Sequence, residues 1–130
     1  MANDLSGMRD MDCEIARASN DSPLVSIIVP SFNQGRFIRR TLDSILSQDY
    51  RPIEIIVIDG ASTDETVSIL REFSSFSELQ WVSEPDNGVV EAVNKGFDRA
   101  SGQVGGIQSS DDFYLPGAIR AAVDALQQDP

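Results

Sequence analysis

The sequence has 130 residues, a length that suits one compact domain with its own hydrophobic core. Its 21 acidic residues outnumber its 10 basic ones and give a net charge of −11, which argues against nucleic acid and anionic membranes as partners because both would repel the chain. One cysteine and no histidine leave no internal disulfide and remove the usual ligand for zinc and for acid-base catalysis, so a reducing, cytoplasmic location is expected.

The start of the chain mixes acidic, basic and small polar residues without a periodic apolar face. We expect a mobile leader over residues 1–22, followed by a single domain over residues 23–130. The leader lacks the basic and apolar regions of a signal peptide, and no apolar run reaches the ~20 residues of a membrane helix. The sequence therefore predicts a soluble chain.

The first predicted unit is a strand followed by a helix. The β-branched run LVSIIVP predicts a strand over Leu24–Pro30 that is buried on both faces and ended by its proline. A stripe of four apolar residues predicts a helix over residues 35–48, namely Ile38, Leu42, Ile45 and Leu46.

The second unit has the same order. IEIIVIDG predicts a strand over Ile53–Gly60. Ser62 and Glu65 have the spacing of a capping box, which predicts the start of the next helix. That helix should turn Val67, Leu70 and Phe73 inward.

The last two units complete the predicted domain. LQWVSEP predicts a shorter strand over Leu79–Pro85, and the segment Ser101–Ser109 predicts a fourth strand weakened by Gly105 and Gly106, where another group could approach the backbone. Two further stripes predict helices after these strands: Val89, Val93, Phe97 and Ala100, then Ile119, Ala122, Val123 and Leu126. Strands alternating with helices predict a three-layer α/β/α domain with a mostly parallel sheet.

Polar residues follow every predicted strand. The four groups are Ser31-Phe32-Asn33, Asp59-Gly60, Glu84-Pro85-Asp86-Asn87-Gly88 and Ser109-Ser110-Asp111-Asp112. Each group alone is explained by the preference of Asp and Asn for turns and helix caps. Together they mark one edge of the sheet, because ligands of open parallel sheets bind outside the carboxyl ends of the strands.

The adjacent carboxylates of Asp111 and Asp112 repel each other unless water screens them or a cation lies between them and an anionic ligand. Mg²⁺ or Mn²⁺ held there could bridge to a nucleoside diphosphate, which an acidic protein could not hold alone. Asp59 could accept a hydrogen bond from a base or a ribose, or could form a turn with Gly60. Lys95 could contact phosphate, or could form an exposed ion pair with Glu91.

Four segments resemble, in order and spacing, the N-terminal donor-binding portion of a family 2 glycosyltransferase with the GT-A fold. They are VSIIVPSFNQGRFIRRTLDSILSQDY, EIIVIDGASTDET, SEPDNGVVEAVNKGFDRASG and SSDDFYLPGAI, and together they span Leu24 to about Ile119. The resemblance implies inverting transfer of a sugar from a UDP or GDP donor, a divalent cation on the diphosphate, and a glycan or lipid-linked acceptor of the cell envelope.

The resemblance also implies roles for individual residues. In such enzymes the segment matching Pro30, Ser31, Phe32 and Asn33 lines the base pocket, the aspartate matching Asp59 binds the base, and the motif matching Asp111 and Asp112 handles ribose and metal. The remaining positions expected to contact the donor are Asp86, Gly88, Asn94, Lys95 and Ser110.

The sequence departs from the family pattern in three places. The usual double acid after the second strand is Asp59-Gly60 here, Ser109 stands where many members have Asp, and Gly105-Gly106 replaces larger apolar residues. Family members place the acceptor pocket and an acidic general base well beyond the metal motif, so we expect no catalytic residue before Pro130. The chain as given is expected to hold a donor and to transfer sugar poorly or not at all.

Three other interpretations stay open. A sugar nucleotidyltransferase would need a glycine-rich, basic loop after the first strand, and PSFNQGRF supplies one Gly and one Arg. A receiver-like domain could use an acid cluster to hold Mg²⁺ for signalling, but its acids would follow the first and third strands. An inactive copy could keep the pocket only as scaffold. The open edge of a short sheet also leaves self-association as an expectation.

Overall fold

A computed structural model describes residues 22–112 and 114–128. Four strands alternate with four helices in this part of the chain: β1 (Val25–Ser31), α1 (Ile38–Leu46), β2 (Ile53–Asp59), α2 (Thr66–Phe73), β3 (Leu79–Ser83), α3 (Val89–Arg99), β4 (Val104–Ile107) and α4 (Ala118–Gln128). Apart from its last residue, the predicted leader at residues 1–22 lies outside the described residues.

The strands form one parallel sheet in the order β3-β2-β1-β4. Val25 in β1 pairs with Ile53 in β2 on one side and with Val104 in β4 on the other. Because all four strands run the same way, their carboxyl ends lie along one edge, as the sequence predicted.

The larger core fills the face of the sheet that carries α1, α2 and α4. It contains Ile27 and Val29 from β1, together with side chains of all three helices. Ile38, Leu42 and Ile45 of α1 are fully buried, which confirms the predicted stripe of that helix. Burial of these apolar side chains stabilises the fold.

The smaller core lies on the opposite face, where α3 covers β1 and β2. It contains Ile28, Ile56 and Ile58 of the sheet against Ala92 of α3. Helices on both faces make three layers and confirm the predicted α/β/α architecture.

The helix predicted from the stripe of Val89, Val93, Phe97 and Ala100 is present, but the stripe does not form its buried face, although Ala100 packs against the smaller core. Val89 is 65% exposed and Phe97 is 42% exposed, whereas Ala92 and Gly96 are buried. A Cβ at position 96 would collide with Ile28 Cγ2, so α3 approaches the sheet through its small residues and its larger ones point outward. At Gly105 an added Cβ would lie 2.8 Å from Phe97 Cε1, which confirms that a group approaches the backbone of β4 there.

Several element boundaries also differ from the prediction. Strand β1 continues past Pro30 to Ser31, whose carbonyl accepts a hydrogen bond from the Gly60 amide at 2.9 Å. Ser62 does not cap α2, which begins at Thr66; Asp64 Oδ1 instead accepts from the Thr66 amide at 2.9 Å. In α4, Ile119 and Val123 are buried as predicted, whereas Leu126 is 58% exposed.

Candidate functional site

A pocket of about 620 Å³ opens where the carboxyl ends of the strands meet. Its volume is in the range of sites for small molecules and cofactors. The wall comes from all four strand ends: Pro30, Ser31, Phe32 and Gln34 after β1, Gly60 after β2, Asp86, Gly88, Val89 and Ala92 around the start of α3, and Ile107, Ser109 and Ser110 at β4. Six of the residues expected to contact a donor therefore meet in one cavity.

Ser31 is the polar residue of this wall that lacks a partner. The residue is 6% exposed, and among the described residues its hydroxyl has no hydrogen-bond partner. A buried polar group without a partner is costly, so its presence in a pocket wall indicates a group that a ligand can satisfy. Phe32 beside it is 58% exposed and offers an apolar ring surface at the pocket mouth.

Asp59 has a different position from the one expected. It is 0% exposed and does not belong to the pocket wall. Oδ1 accepts from the Ser62 hydroxyl at 2.6 Å, and Oδ2 accepts from the Ser62 amide at 2.9 Å and the Ser83 hydroxyl at 2.8 Å. The carboxylate therefore ties the loop after β2 to the end of β3, and it does not face the cavity.

Asn33 also supports a loop. Its side-chain Oδ1 accepts a hydrogen bond from the Thr63 backbone amide at 2.8 Å, and its backbone amide donates to Ser62 Oγ at 2.7 Å. Asn33 is not part of the pocket wall, and its φ of 52° is a left-handed conformation that Asn tolerates well. Asn33 thus joins the loop after β1 to the loop after β2 and holds both pocket edges in place.

Lys95 is engaged in ion pairs outside the pocket wall. Its Nζ lies 3.0 Å from Glu84 Oε2 and 3.6 Å from Glu91 Oε2, so the predicted pair with Glu91 is present. The hydrogen bond to Glu84 and the charges of both glutamates raise the pKa of Lys95. Asn94, next to it, is exposed and likewise outside the wall.

The acidic pair follows the two serines that line the pocket. Asp111 and Asp112 are both exposed, and the Ser109 hydroxyl donates to Asp111 Oδ1 at 2.5 Å. The Thr41 hydroxyl of α1 donates to the Ser110 carbonyl at 3.0 Å and also contacts the Asp112 carbonyl. The backbone of this segment is therefore anchored, while Asp111 and Asp112 remain exposed residues.

These carboxylates fit a metal site completed by substrate phosphates better than a site built from protein ligands alone. Within residues 22–112 and 114–128, no group of three or more acidic, His or Cys side chains is placed to hold a metal. Mg²⁺ and Mn²⁺ are hard cations that often take one or two carboxylates and complete their shell with substrate phosphates and water. The exposed oxygens of Asp111 and Asp112 match that donor set.

Sequence reasoning missed part of the site. Gln34, Val89, Ala92 and Ile107 line the pocket although no motif singled them out. It also missed the polar side of α1, where Thr41 and Ser44, together with Gln48 just past the helix end, contact the segment after β4. Their spacing of three and four residues was the signal that could have revealed a second face of this helix.

None of the helices in the described ranges combines the length and the apolar character needed to cross a membrane.

Comparisons with known proteins agree with this architecture. A family model described as "Glycosyl transferase family 2" matches residues 26–130. Chondroitin synthase of Escherichia coli is 32% identical over 108 residues, which cover 82% of this chain and 16% of that protein.

Solved structures show the same similarity. TarS of S. aureus in complex with UDP-GlcNAc has a TM-score of 0.75 and 25% identity, covering 80% of this chain and 31% of that one. The mannosyltransferase PcManGT of Pyrobaculum calidifontis, in complex with GDP-Man and Mn²⁺, has a TM-score of 0.72 and 31% identity, covering 82% and 32%. The chain therefore spans less than a third of the length of each of these three chains.

The family model covers most of the chain, and the parallel sheet, the pocket at its carboxyl edge and the solved relatives agree with it. The chain therefore belongs to glycosyl transferase family 2, and its fold is the GT-A fold of these enzymes.

Proposed function

We propose that the pocket binds the nucleoside diphosphate of a UDP or GDP sugar, and that the protein transfers this sugar to an acceptor with inversion at the anomeric carbon. The observation that carries the proposal is the pocket of about 620 Å³ at the shared strand edge, with the unpartnered Ser31 hydroxyl in its wall. Family membership supports the reaction class. One similar solved structure is a complex with UDP-GlcNAc and another is a complex with GDP-Man, so the proposed base is uracil or guanine.

The proposal divides most of the expected residues into three groups. Pro30, Ser31 and Phe32 contact the donor from the end of β1, while Gly88 and Ser110 contact it from the opposite wall. Asn33 and Asp59 act on the pocket by positioning its loops. Asn94 and Lys95 lie outside the wall, so contact with the donor would require Lys95 to leave Glu84.

The proposed cofactor is Mg²⁺ or Mn²⁺ beside Asp111 and Asp112, next to the serines of the wall. When bound, such a cation stabilises negative charge on a diphosphate leaving group. The net charge of −11 makes this help necessary, because the protein otherwise repels the anionic donor.

Transfer also requires a group that accepts the acceptor's proton, and none of the pocket residues is proposed for that role. The acceptor is proposed to be a glycan or lipid-linked sugar of the cell envelope.

A cytoplasmic location is part of the proposal, since a chain with one cysteine forms no internal disulfide. In the described part of the chain β4 pairs with β1 alone, which makes self-association a further expectation, and sedimentation over a range of concentrations measures it.

Calorimetric titration of the purified protein with UDP and with GDP, each with Mn²⁺ and with EDTA, tests the proposal. We expect binding of at least one nucleotide in Mn²⁺ and a loss of about 10-fold or more in EDTA, because the cation bridges the acids to the diphosphate. Asp111→Asn should reduce the Mn²⁺-dependent affinity, while Asp98→Asn, an exposed change on α3, should not. Absence of binding by any nucleoside diphosphate in Mn²⁺ would overturn the proposal.

A further inference from the structure

In the pocket wall, the carboxylate of Asp86 lies next to Gly60, which has no side chain. A Cβ at this position would lie 3.1 Å from Oδ1 and 3.2 Å from Oδ2 of Asp86. Both residues line the pocket, Gly60 from the end of β2 and Asp86 from the loop between β3 and α3. The carboxylate of Asp86 therefore lies 3.1 to 3.3 Å from the place where a side chain at position 60 would begin, which is the position at which the family pattern has its second acid.

The Asp86 carboxylate is held in this place and still has an open oxygen. The Gly88 amide donates to Oδ1 at 3.0 Å, across a turn in which Gly88 has a φ of 118°. Within the described part of the chain this is the one hydrogen bond that the carboxylate accepts, so Oδ2 can accept another from a ligand.

Asp59 cannot supply the same contact. Its side chain is fully buried, and both of its oxygens already accept hydrogen bonds from Ser62 and Ser83. Of the acids at the ends of β2 and β3, Asp86 is the one that lines the cavity.

We infer that Asp86 reads the nucleotide base and replaces the acid that is missing at Gly60. This inference rests on the proposed function. An ionised carboxylate only accepts hydrogen bonds, so it favours a base that presents a ring N–H, as uracil and guanine do. Cytosine and adenine present an unprotonated ring nitrogen beside their amino group, and its lone pair would face the carboxylate. The protein should therefore prefer UDP and GDP to CDP and ADP.

Asp86→Asn tests this assignment by changing one carboxylate oxygen into a donor of the same shape. We expect the affinity for the preferred nucleotide, UDP or GDP, to fall about 10- to 100-fold in Mn²⁺, since hydrogen bonds to charged groups contribute most. The affinity for CDP should stay the same or rise, because an amide can both donate to and accept from cytosine. Asn keeps an oxygen for the Gly88 amide, and Asp98→Asn is the matched charge control.

Moving the acid provides an independent test. Gly60→Asp alone should weaken binding of the preferred nucleotide, because the new side chain crowds the Asp86 carboxylate and adds a second negative charge beside it. Asp86→Ser alone should weaken binding while its hydroxyl still accepts from the Gly88 amide. The double variant Gly60→Asp/Asp86→Ser should bind better than either single variant. Thermal unfolding of each variant confirms that it is folded.

The outcomes separate the two proposals. If the wild-type protein binds UDP or GDP but Asp86→Asn leaves both the affinity and the preference over CDP unchanged, the assignment of Asp86 is wrong and the proposed function stands. A double variant no better than the worse single variant would also count against the assignment. If the wild-type protein binds no nucleoside diphosphate, both proposals fail.

Discussion

At the residue scale, the polar side chains at the strand ends mostly hold backbone in place. Asn33 and Asp59 both bind Ser62, so one serine joins the loops after β1 and β2. Burial opposes ionisation of Asp64, but the hydrogen bonds that it accepts from the Thr66 hydroxyl and from the amides of Thr66 and Gly35 lower the pKa of that carboxyl. The loops that form the pocket are therefore ordered by side chains that do not line it.

Ala61, in the loop between β2 and α2, has an unfavourable backbone conformation. Its φ of 63° lies in the left-handed region, which is unfavourable for a residue with a Cβ and costs glycine little. We predict that Ala61→Gly raises the free energy of unfolding by about 0.5 to 1 kcal/mol, after allowing for the extra freedom of glycine in the unfolded chain. Urea denaturation followed by circular dichroism measures the change.

Ala100→Gly is the matched control, because Ala100 has an ordinary φ of −72° at the end of α3. This change should lower the free energy of unfolding by about 0.5 to 1 kcal/mol. Equal effects of the two substitutions would show that the conformation of Ala61 is not strained.

At the element scale, two faces of α1 make contacts with the rest of the molecule. Its apolar face packs into the larger core, while its polar face contacts the segment that follows β4. Gln48 donates to the Leu115 carbonyl at 2.9 Å, and Ser44 accepts from the Tyr114 amide at 3.0 Å. Helix α1 thus couples the core to the segment that carries Asp111 and Asp112.

Thr41→Val tests this coupling, since valine keeps the shape of threonine and loses the hydroxyl that reaches Ser110 and Asp112. We predict a decrease of about 1 to 2 kcal/mol in the free energy of unfolding. The Mn²⁺-dependent affinity for UDP or GDP should fall about 10-fold, as for other groups that orient metal ligands. Titration calorimetry at a temperature where both proteins are folded measures this.

Ser47→Ala at the C-terminal cap of α1 is the control, because Ser47 is exposed and, among the described residues, its hydroxyl donates to the Ser44 carbonyl alone, at 3.4 Å. It should leave stability and nucleotide affinity unchanged. Wild-type affinity in Thr41→Val would mean that the acidic segment keeps its position without α1.

Helix α3 depends on the absence of a side chain at Gly96. Gly96→Ala should lower the free energy of unfolding by about 1 to 2 kcal/mol, because the collision with Ile28 outweighs the better helix propensity of alanine. Ile28→Leu removes the Cγ2 methyl group, so the double variant Gly96→Ala/Ile28→Leu should lose less stability than the sum of the single variants. Strict additivity in urea denaturation would contradict this packing.

At the scale of the whole molecule, the two faces of the sheet are not equally stabilised. The larger core joins three helices to the sheet, whereas the smaller core holds α3 through Ala92 and three isoleucines. Because α3 also carries Val89 and Ala92 of the pocket wall, the less strongly held helix is one that lines the pocket. Binding sites are often drawn from such regions of lower local stability.

Hydrogen exchange followed by mass spectrometry tests this difference. We predict the slowest exchange in the central strands β1 and β2 and faster exchange in α3. Adding the nucleotide that binds, with Mn²⁺, should slow exchange in α3 and in residues 109–112. Protection of α3 equal to that of β2 in the free protein would show that the smaller core is not the weaker one.

The sequence alone determined the order of strands and helices, the parallel sheet and the edge at which its polar residues gather. Those features depend on local patterns: β-branched runs bury on both faces, and apolar stripes such as that of α1 recur at the helical period. The same patterns misplaced the stripe of α3, because the close approach of Gly96 to Ile28 is a contact between elements distant in the chain.

Only the tertiary structure decided which polar residues face the pocket. Asp59 and Asp86 look alike in the sequence, as acids that follow strands. Asp59 is buried because serines from two neighbouring segments donate to it, while Asp86 lines the cavity because Gly60 leaves room for it. Side-chain exposure depends on what the other strand ends place nearby, and that information lies in the packing of the fold.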